Sequence, residues 1–381
     1  MKILLIGEYS RLHNSLKEGL EAIGHHVTII ASGDYFKNYP ADIKLHRSFD
    51  KGLGRKIKIA IYKLFKKDIT SVLLIKQAFR YKNLLKNHDV VQLINERALG
   101  AQPKDEQKFI HFLKEHNSKL FLLCCGTDYL SVKYAYDKNF RYSILTPFFK
   151  GKVNPKEYNN VLSYIKPTYL NHHQFVYKNI QGVIASDIDY HLPMKDHPKY
   201  LGLIPNPINT DKISYIENPV NDKIIIFHGI NKANFYKKGN DLFEKALKVI
   251  QEKYSDKVEI IVTENVPYNE YINLYNKAHI LLDQIYAYDQ GYNALEAMAK
   301  GKVVFTGAEK EFLDYYGLNE NEVCINALPN VNDLVKKLSW LIENPEKITE
   351  IGENARKFVI EKHHYINSAQ EYLNLWTKQP K

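Results

Sequence analysis

Three stretches of this chain are near-continuous apolar runs of strand length: Asp89–Ile94 (DVVQLI), Leu120–Cys125 (LFLLCC) and Gly182–Ser186 (GVIAS). A strand with one face in water alternates polar and apolar residues. Runs this uniform need cover on both faces, the condition of a parallel sheet flanked by helices. The N-terminus fits the same scheme. MKILLIG ends at Gly7, Leu12, Leu16, Leu20 and Ile23 recur at helical spacing, Gly24 stops that helix, and His26–Ile30 forms a second strand. Strand, loop, helix, glycine, strand opens a doubly wound α/β domain. The loop Gly7–Ser10 lacks a full dinucleotide fingerprint, so no nicotinamide or flavin cofactor is expected.

A chain of 381 residues is too long for one ordinary core, which sets the expectation at two domains. The strand–helix pattern restarts after Ile204–Asn209 (IPNPIN), where two prolines and two asparagines break regular structure. The expected division is therefore a first domain over 1–204, a second over 205–360, and a closing helix over 361–381 that can return to the first domain. In the second domain Lys223–Phe227 reads as a strand, His228–Asn240 as a loop containing Gly229 and Gly239, and Asp241–Tyr254 as a helix. Val258–Val262, Tyr268–Ala278 and Ile280–Leu282 continue as strand, helix and strand. After Asn330 the pattern is helical: Val331–Ile342, Pro345–Lys362 and Ile366–Trp376. Residues 129–178 have weak periodicity and read as helices and loops.

A content of 45% hydrophobic and 25% charged residues excludes bulk disorder and indicates a soluble globular chain. No apolar run is long enough to cross a bilayer, and the N-terminal one is too short for a signal peptide. Three cysteines, Cys124, Cys125 and Cys324, cannot form a disulfide framework, which points to a reducing, cytoplasmic compartment. The formal net charge of +10 favours an anionic partner. Much of it lies in 51–87, where Lys51, Arg55, Lys56, Lys58, Lys63, Lys66, Lys67, Lys76, Arg80, Lys82 and Lys86 face the single acid Asp68. One or two amphipathic helices are expected there, their cationic face simply solvated, guiding an anionic acceptor, or resting on anionic lipid headgroups, the last of which would make the protein peripheral on the inner face of a membrane. No nucleic-acid-binding motif accompanies the charge, and nucleic acid is not an expected partner.

Ligands of open α/β sheets collect at the carboxyl ends of the strands. In the first half these ends carry Asn95-Glu96 and Gly126-Thr127-Asp128. Asp128 can equally be a helix cap. Asp187-Ile188-Asp189 is like the acid pair that holds a metal under a sugar diphosphate in one class of transferases, or a loop cap; no metal site is expected. In the second half Ala287–Phe305 runs from a loop through Gly291 and a short helix, Asn293–Ala299, into a buried strand. Such a helix N-terminus suits a phosphate. Two α/β domains joined by a short linker form a cleft of the kind that holds nucleotides with their sugar or phosphate partners.

Several stretches resemble a known family. LEAMAKGKVVF (Leu295–Phe305) is similar to the donor-site helix and following strand of the retaining GT-B glycosyltransferases numbered as family four. KKGNDLFEKAL (Lys237–Leu247) resembles the loop and helix whose lysine, here Lys238, meets the donor diphosphate. IPNPIN resembles the interdomain strand end, and CGTD (Cys125–Asp128) the glycine-acid turn beneath the acceptor. The resemblance implies an α/β fold of two Rossmann-like domains facing a cleft with C-terminal helices, and transfer of a sugar from a nucleotide-diphosphate sugar to a hydroxyl of a glycan or lipid-linked acceptor in surface polysaccharide biosynthesis. It implies retention of configuration, and the donor is a substrate, so no cofactor is expected.

In that family two glutamates separated by seven residues mark the donor site. Glu296 matches the second, on the ribose. The first falls on Tyr288, with Asp289 one residue late and Asp283 on the preceding strand end. Gly291 matches the second loop glycine. The arginine usual after the first-loop glycine, Gly229, is replaced by Ile230, leaving Lys232 with Lys238 to supply positive charge. Asn293 lies three before Glu296 in a capping-box pattern, the competing reading of that glutamate. On the acceptor side Asp128, Glu96 and His13 are the candidates for proton acceptor or positioning group. The alternatives are a nucleotide-sugar epimerase or phosphorylase on the same frame, or a non-catalytic partner that binds glycan or lipid.

Overall fold

The computed structural model describes residues 1–33, 39–217, 219–266 and 268–378. In chain order the elements are β1 (Lys2–Ile6), α1 (Leu12–Ala22), β2 (His26–Ala31), β3 (Ile43–Lys44), α2 (Gly52–Phe65), α3 (Ile69–Arg80), β4 (Val90–Leu93), α4 (Pro103–His116), β5 (Lys119–Cys124) and α5 (Tyr129–Tyr136). There follow α6 (Thr146–Phe149), α7 (Asn159–Leu162), α8 (Pro167–Asn179), β6 (Gly182–Ala185), α9 (Ile188–Met194) and β7 (Tyr200–Leu203). The second half holds β8 (Ile224–Ile230), α10 (Asn240–Lys253), β9 (Val258–Glu264), α11 (Tyr268–Lys277), β10 (Ile280–Leu282), α12 (Tyr292–Ala299), β11 (Val303–Thr306), α13 (Lys310–Tyr316) and β12 (Ile325–Asn326). Helices α14 (Val331–Glu343), α15 (Glu346–Lys362) and α16 (Tyr365–Lys378) close the chain.

Among the described residues the strands form two parallel sheets, one of seven strands ordered β3-β2-β1-β4-β5-β6-β7 and one of five ordered β12-β11-β10-β8-β9. The uniform runs read from sequence, β4, β5 and β6, are interior strands, and β4 and β6 are buried at every residue. The edge strands β3 and β12 span two residues each, too short to leave a pattern in the sequence. No helix among the described residues is long and apolar enough to cross a membrane.

The chain divides into two compact units, one of Met1–Lys133, Asn160–Pro207 and Tyr365–Lys381, the other of Tyr134–Asn159 and Ile208–His364. The division after Pro207 lies inside IPNPIN. Residues 134–159 differ from the expectation of a first domain running unbroken to 204. They belong to the second unit because their side chains bond there, as described below. In the first unit α16 lies along α1. A Cβ on Gly19 would come within 2.2 Å of the Tyr365 carbonyl oxygen, so the helices meet at a distance that admits only glycine. Trp376, fully buried, packs on Phe121 of β5 with ring centroids 6.3 Å apart, and the Lys119 ammonium donates to its carbonyl oxygen at 2.8 Å.

Candidate functional site: a lysine–carboxylate junction in the second unit and a buried acid pair in the first

Strand β10 ends at Leu282, and the next residue, Asp283, is buried at the end of the sheet. Its Oδ1 accepts from Lys238 Nζ at 2.9 Å and from Asn293 Nδ2 at 3.1 Å, while Oδ2 has no partner. The Tyr271 hydroxyl donates to Asn293 Oδ1 at 3.0 Å and the Tyr275 hydroxyl to the Asn293 carbonyl oxygen at 3.1 Å. One carboxylate thus joins the loop ahead of α10 to the first turn of α12. The Ile285 amide fastens the same loop by donating to the Lys238 carbonyl oxygen at 2.9 Å.

This geometry corrects the capping-box reading. The N-cap of α12 is Gly291, so Asn293 is the second helical residue and Glu296 the fifth, and the Asn293 amide serves Asp283. Around Gly291 the backbone is open: a Cβ there would meet nothing nearer than Gln284 Nε2 at 3.9 Å. Gly229 is also placed differently, inside β8 and not in a loop, because that strand runs on to Ile230. Its missing side chain makes room for the Tyr271 ring, which a Cβ would meet at 2.5 Å. Lys232 is bound to Glu264 in an exposed ion pair at 2.5 Å. Asp289 is buried, its Oδ1 accepting from the Gln290 amide at 2.7 Å, in a loop that presses on Gly307.

Buried polar groups near the junction lack partners at both amide atoms of Asn240, at the start of α10, and at the Tyr286 hydroxyl. Burial pushes His228 down to about 4, against the pull of the Leu282 carbonyl, and the Lys238 charge adds to the lowering. His228 was not among the residues singled out from sequence. Its signal was available, a polar side chain closing the apolar run IIIF.

Tyr288, at the position of the missing acid, is fully buried. Its hydroxyl accepts from the Arg141 amide at 2.7 Å, and the Arg141 guanidinium lies 4.7 Å from its ring centroid. The same guanidinium binds Glu311 at 2.7 and 2.6 Å and Glu309 at 2.6 Å, and the Tyr142 hydroxyl donates to Glu309 Oε1. Lys152 pairs with Asp241 at 2.9 Å. These bonds fasten 134–159 within the second unit and hold the Tyr288 ring and hydroxyl in place.

In the first unit Glu96 and Asp128 follow β4 and β5. Glu96 Oε1 accepts from His173 Nδ1 at 2.6 Å, and Asp128 Oδ1 accepts from the Ser131 amide at 2.7 Å, so Asp128 does cap the helix that follows. Glu96 Oε2 and Asp128 Oδ2 are both buried without hydrogen-bond partners. Burial, and next the Glu96 charge, push Asp128 up to about 6. His13 is a different case. It is fully buried, its Nδ1 donates to the Gly7 carbonyl oxygen at 2.7 Å, its Nε2 lies 3.4 Å from Gln92 Nε2, and burial lowers it to about 4. His13 thus sits in the core at the first turn of α1, away from solvent. Asp187 caps α9, its Oδ1 accepting from the Tyr190 amide at 3.2 Å, and among the described residues no group of three or more His, Cys, Asp or Glu could hold a metal ion.

Residues 231–374 match the family described as glycosyl transferase-like. The match falls in the second half of the chain. The matched segment contains Lys238, Asp283, Gly291, Asn293 and Glu296. No curated protein matches the chain. Among solved structures, sucrose-phosphate synthase from Thermosynechococcus elongatus is similar with a TM-score of 0.62 at 15% identity, over 99% of this chain and 98% of that one. Anabaena HepE in complex with UDP and glucose has a TM-score of 0.59 at 11% identity, over 99% of both chains. S. aureus MnaA in complex with UDP has a TM-score of 0.52 at 13% identity, over 100% and 98%. The fold is that of the GT-B glycosyltransferases, two parallel sheets with their helices.

Proposed function

We propose that the protein is a glycosyltransferase that moves a sugar from a nucleotide-diphosphate sugar to a hydroxyl of a glycan or glycolipid acceptor. The junction of Lys238, Asp283 and Asn293 carries this reading, because it sets a partly exposed ammonium beside the open N-terminus of α12. In the reaction the bond from the anomeric carbon to the diphosphate breaks, one to the acceptor oxygen forms, and the acceptor hydroxyl gives up its proton. Charge grows on the departing diphosphate. Lys238 and the first N–H groups of α12 are suited to hold it, Asn240 and His228 offer further hydrogen bonds, and the step as read needs no metal ion. Glu296 takes the ribose, as the family resemblance implies, and retention of configuration rests on the same resemblance.

On the acceptor side Asp128 takes the proton or positions the hydroxyl, and Glu96, held by His173, orients the pair. The cationic segment 51–87 favours an acceptor presented at the cytoplasmic face of a membrane, in a surface polysaccharide or glycolipid pathway. UDP-sugars come first as donors, since HepE and MnaA are seen with UDP. A thermal-shift series with uridine, guanosine and adenosine diphosphates and their sugars tests the reading. One nucleotide class is expected to raise the midpoint, and no response to any would overturn the proposal. A second reaction stays in view because a putative UDP-N-acetylglucosamine 2-epimerase from Listeria monocytogenes is also similar, with a TM-score of 0.50 at 12% identity. Chromatography after incubation with donor alone decides between them: a new nucleotide sugar formed without acceptor would mean epimerisation.

A further inference from the structure

Helix α2 departs from what packing a helix onto a sheet would produce. All fourteen of its residues are described, and none is buried. At 100° per residue Leu53, Ile57, Ala60 and Leu64 fall within an arc of about 60°. That stripe faces outward, with Leu53 73% and Leu64 76% exposed, and Phe65 at the helix end is 68% exposed. Lys56 and Lys63 border one side of the stripe, and Lys66 and Lys67 follow the helix. No acid occurs from Lys51 to Lys67. Lys58 alone of these cations turns inward, its Nζ reaching Asp50 at 2.8 Å and Asp68 at 3.3 Å. A merely solvated helix would show its charges outward and its leucines inward.

We infer that α2 lies in the plane of an anionic bilayer, with Leu53, Ile57 and Leu64 at the boundary of headgroups and acyl chains and Lys56, Lys63, Lys66 and Lys67 on lipid phosphates. Charge decides the occupant. A second copy docked across a two-fold axis would bring the same lysines against one another, whereas an anionic surface neutralises them all. The inference deepens the transfer reading and rests on it for one consequence: the acceptor served by the first unit is lipid-linked.

Co-sedimentation of the full chain with vesicles tests this, using phosphatidylcholine alone and phosphatidylcholine mixed with phosphatidylglycerol. The protein is expected to bind the mixed vesicles and not the neutral ones, and to be released by salt. Lys56→Gln/Lys63→Gln/Lys67→Gln is expected to weaken binding about a hundred-fold, and Leu53→Gln/Ile57→Gln/Leu64→Gln to abolish it. Both variants alter exposed residues and should keep the wild-type melting midpoint and nucleotide response. Equal binding by wild type and variants would overturn the inference. So would failure of the wild type to bind either vesicle, or a lipid-free dimer that the leucine variant converts to monomer. Vesicle binding without any nucleotide response would leave the anchor standing and remove the donor reading.

Discussion

The Lys238–Asp283 junction and the Glu96–Asp128 pair both lie at carboxyl ends of parallel strands, and both contain carboxylate oxygens left without partners. Their electrostatics are opposite. In the second unit a buried carboxylate is matched by an ammonium and an amide, so the charge is balanced before any ligand arrives. In the first unit Asp128 is raised to about 6, by burial first and then by the charge of the neighbouring Glu96. A balanced site can hold an anion by adding to an existing cation. An unbalanced one is suited to accept a proton.

The largest expected effect breaks the comparison at the acid pair. If Asp128 must be ionised to act, transfer should rise with pH through about 6 and level off above it. Asp128→Asn, which can still cap α5, should remove that step and lower the rate by about 10²–10⁴-fold. The same shift has a stability sign. Because the folded value lies above the ordinary 3.8, the contribution from Asp128 is fully present below about 3.8 and is lost as pH rises through about 6. Denaturant midpoints should therefore favour the wild type over Asp128→Asn more at pH 4 than at pH 7. A rate profile unchanged by the substitution would remove Asp128 from the reaction.

Smaller effects sharpen the donor side. Glu296→Ala should weaken nucleotide-sugar binding by about 10–100-fold in calorimetry, the loss of a charged hydrogen bond, while leaving the pH step intact. Arg141→Ala should cost only about 1 kcal/mol of stability by denaturant titration, because its side chain is half exposed although it serves Glu309, Glu311 and the face of Tyr288. A loss of activity far beyond that of stability would show that the segment 134–159 also touches substrate. Lys232→Ala should change binding less than about twofold, since its pair with Glu264 is exposed.

What was legible in the sequence followed from local chemistry. The uniform runs at β4, β5 and β6 announced a parallel sheet, and the glycine-bearing loops ahead of α10 and α12 singled out Lys238 and Asn293 but not their meeting on Asp283. What was hidden depends on residues far apart in the chain. His173 meets Glu96 from 77 positions away and Arg141 meets Glu311 from 170, so no spacing could signal either. The same distance explains why 134–159 reads as part of the first domain. A histidine in a helix's first turn looks alike in sequence whether it faces solvent or, as His13 does, the carbonyl of Gly7.

The central claim is that Lys238 and the N-terminus of α12 hold the diphosphate of a sugar donor. Isothermal titration of UDP and UDP-sugars into the wild type and Lys238→Ala tests it most directly, with guanosine and adenosine diphosphates in parallel. The account expects saturable binding of one nucleotide class by the wild type and at least about a tenfold loss in the variant, titrated below a melting midpoint that falls because Asp283 loses its ammonium. Equal affinity of the two proteins, or no binding of any nucleotide, would contradict it.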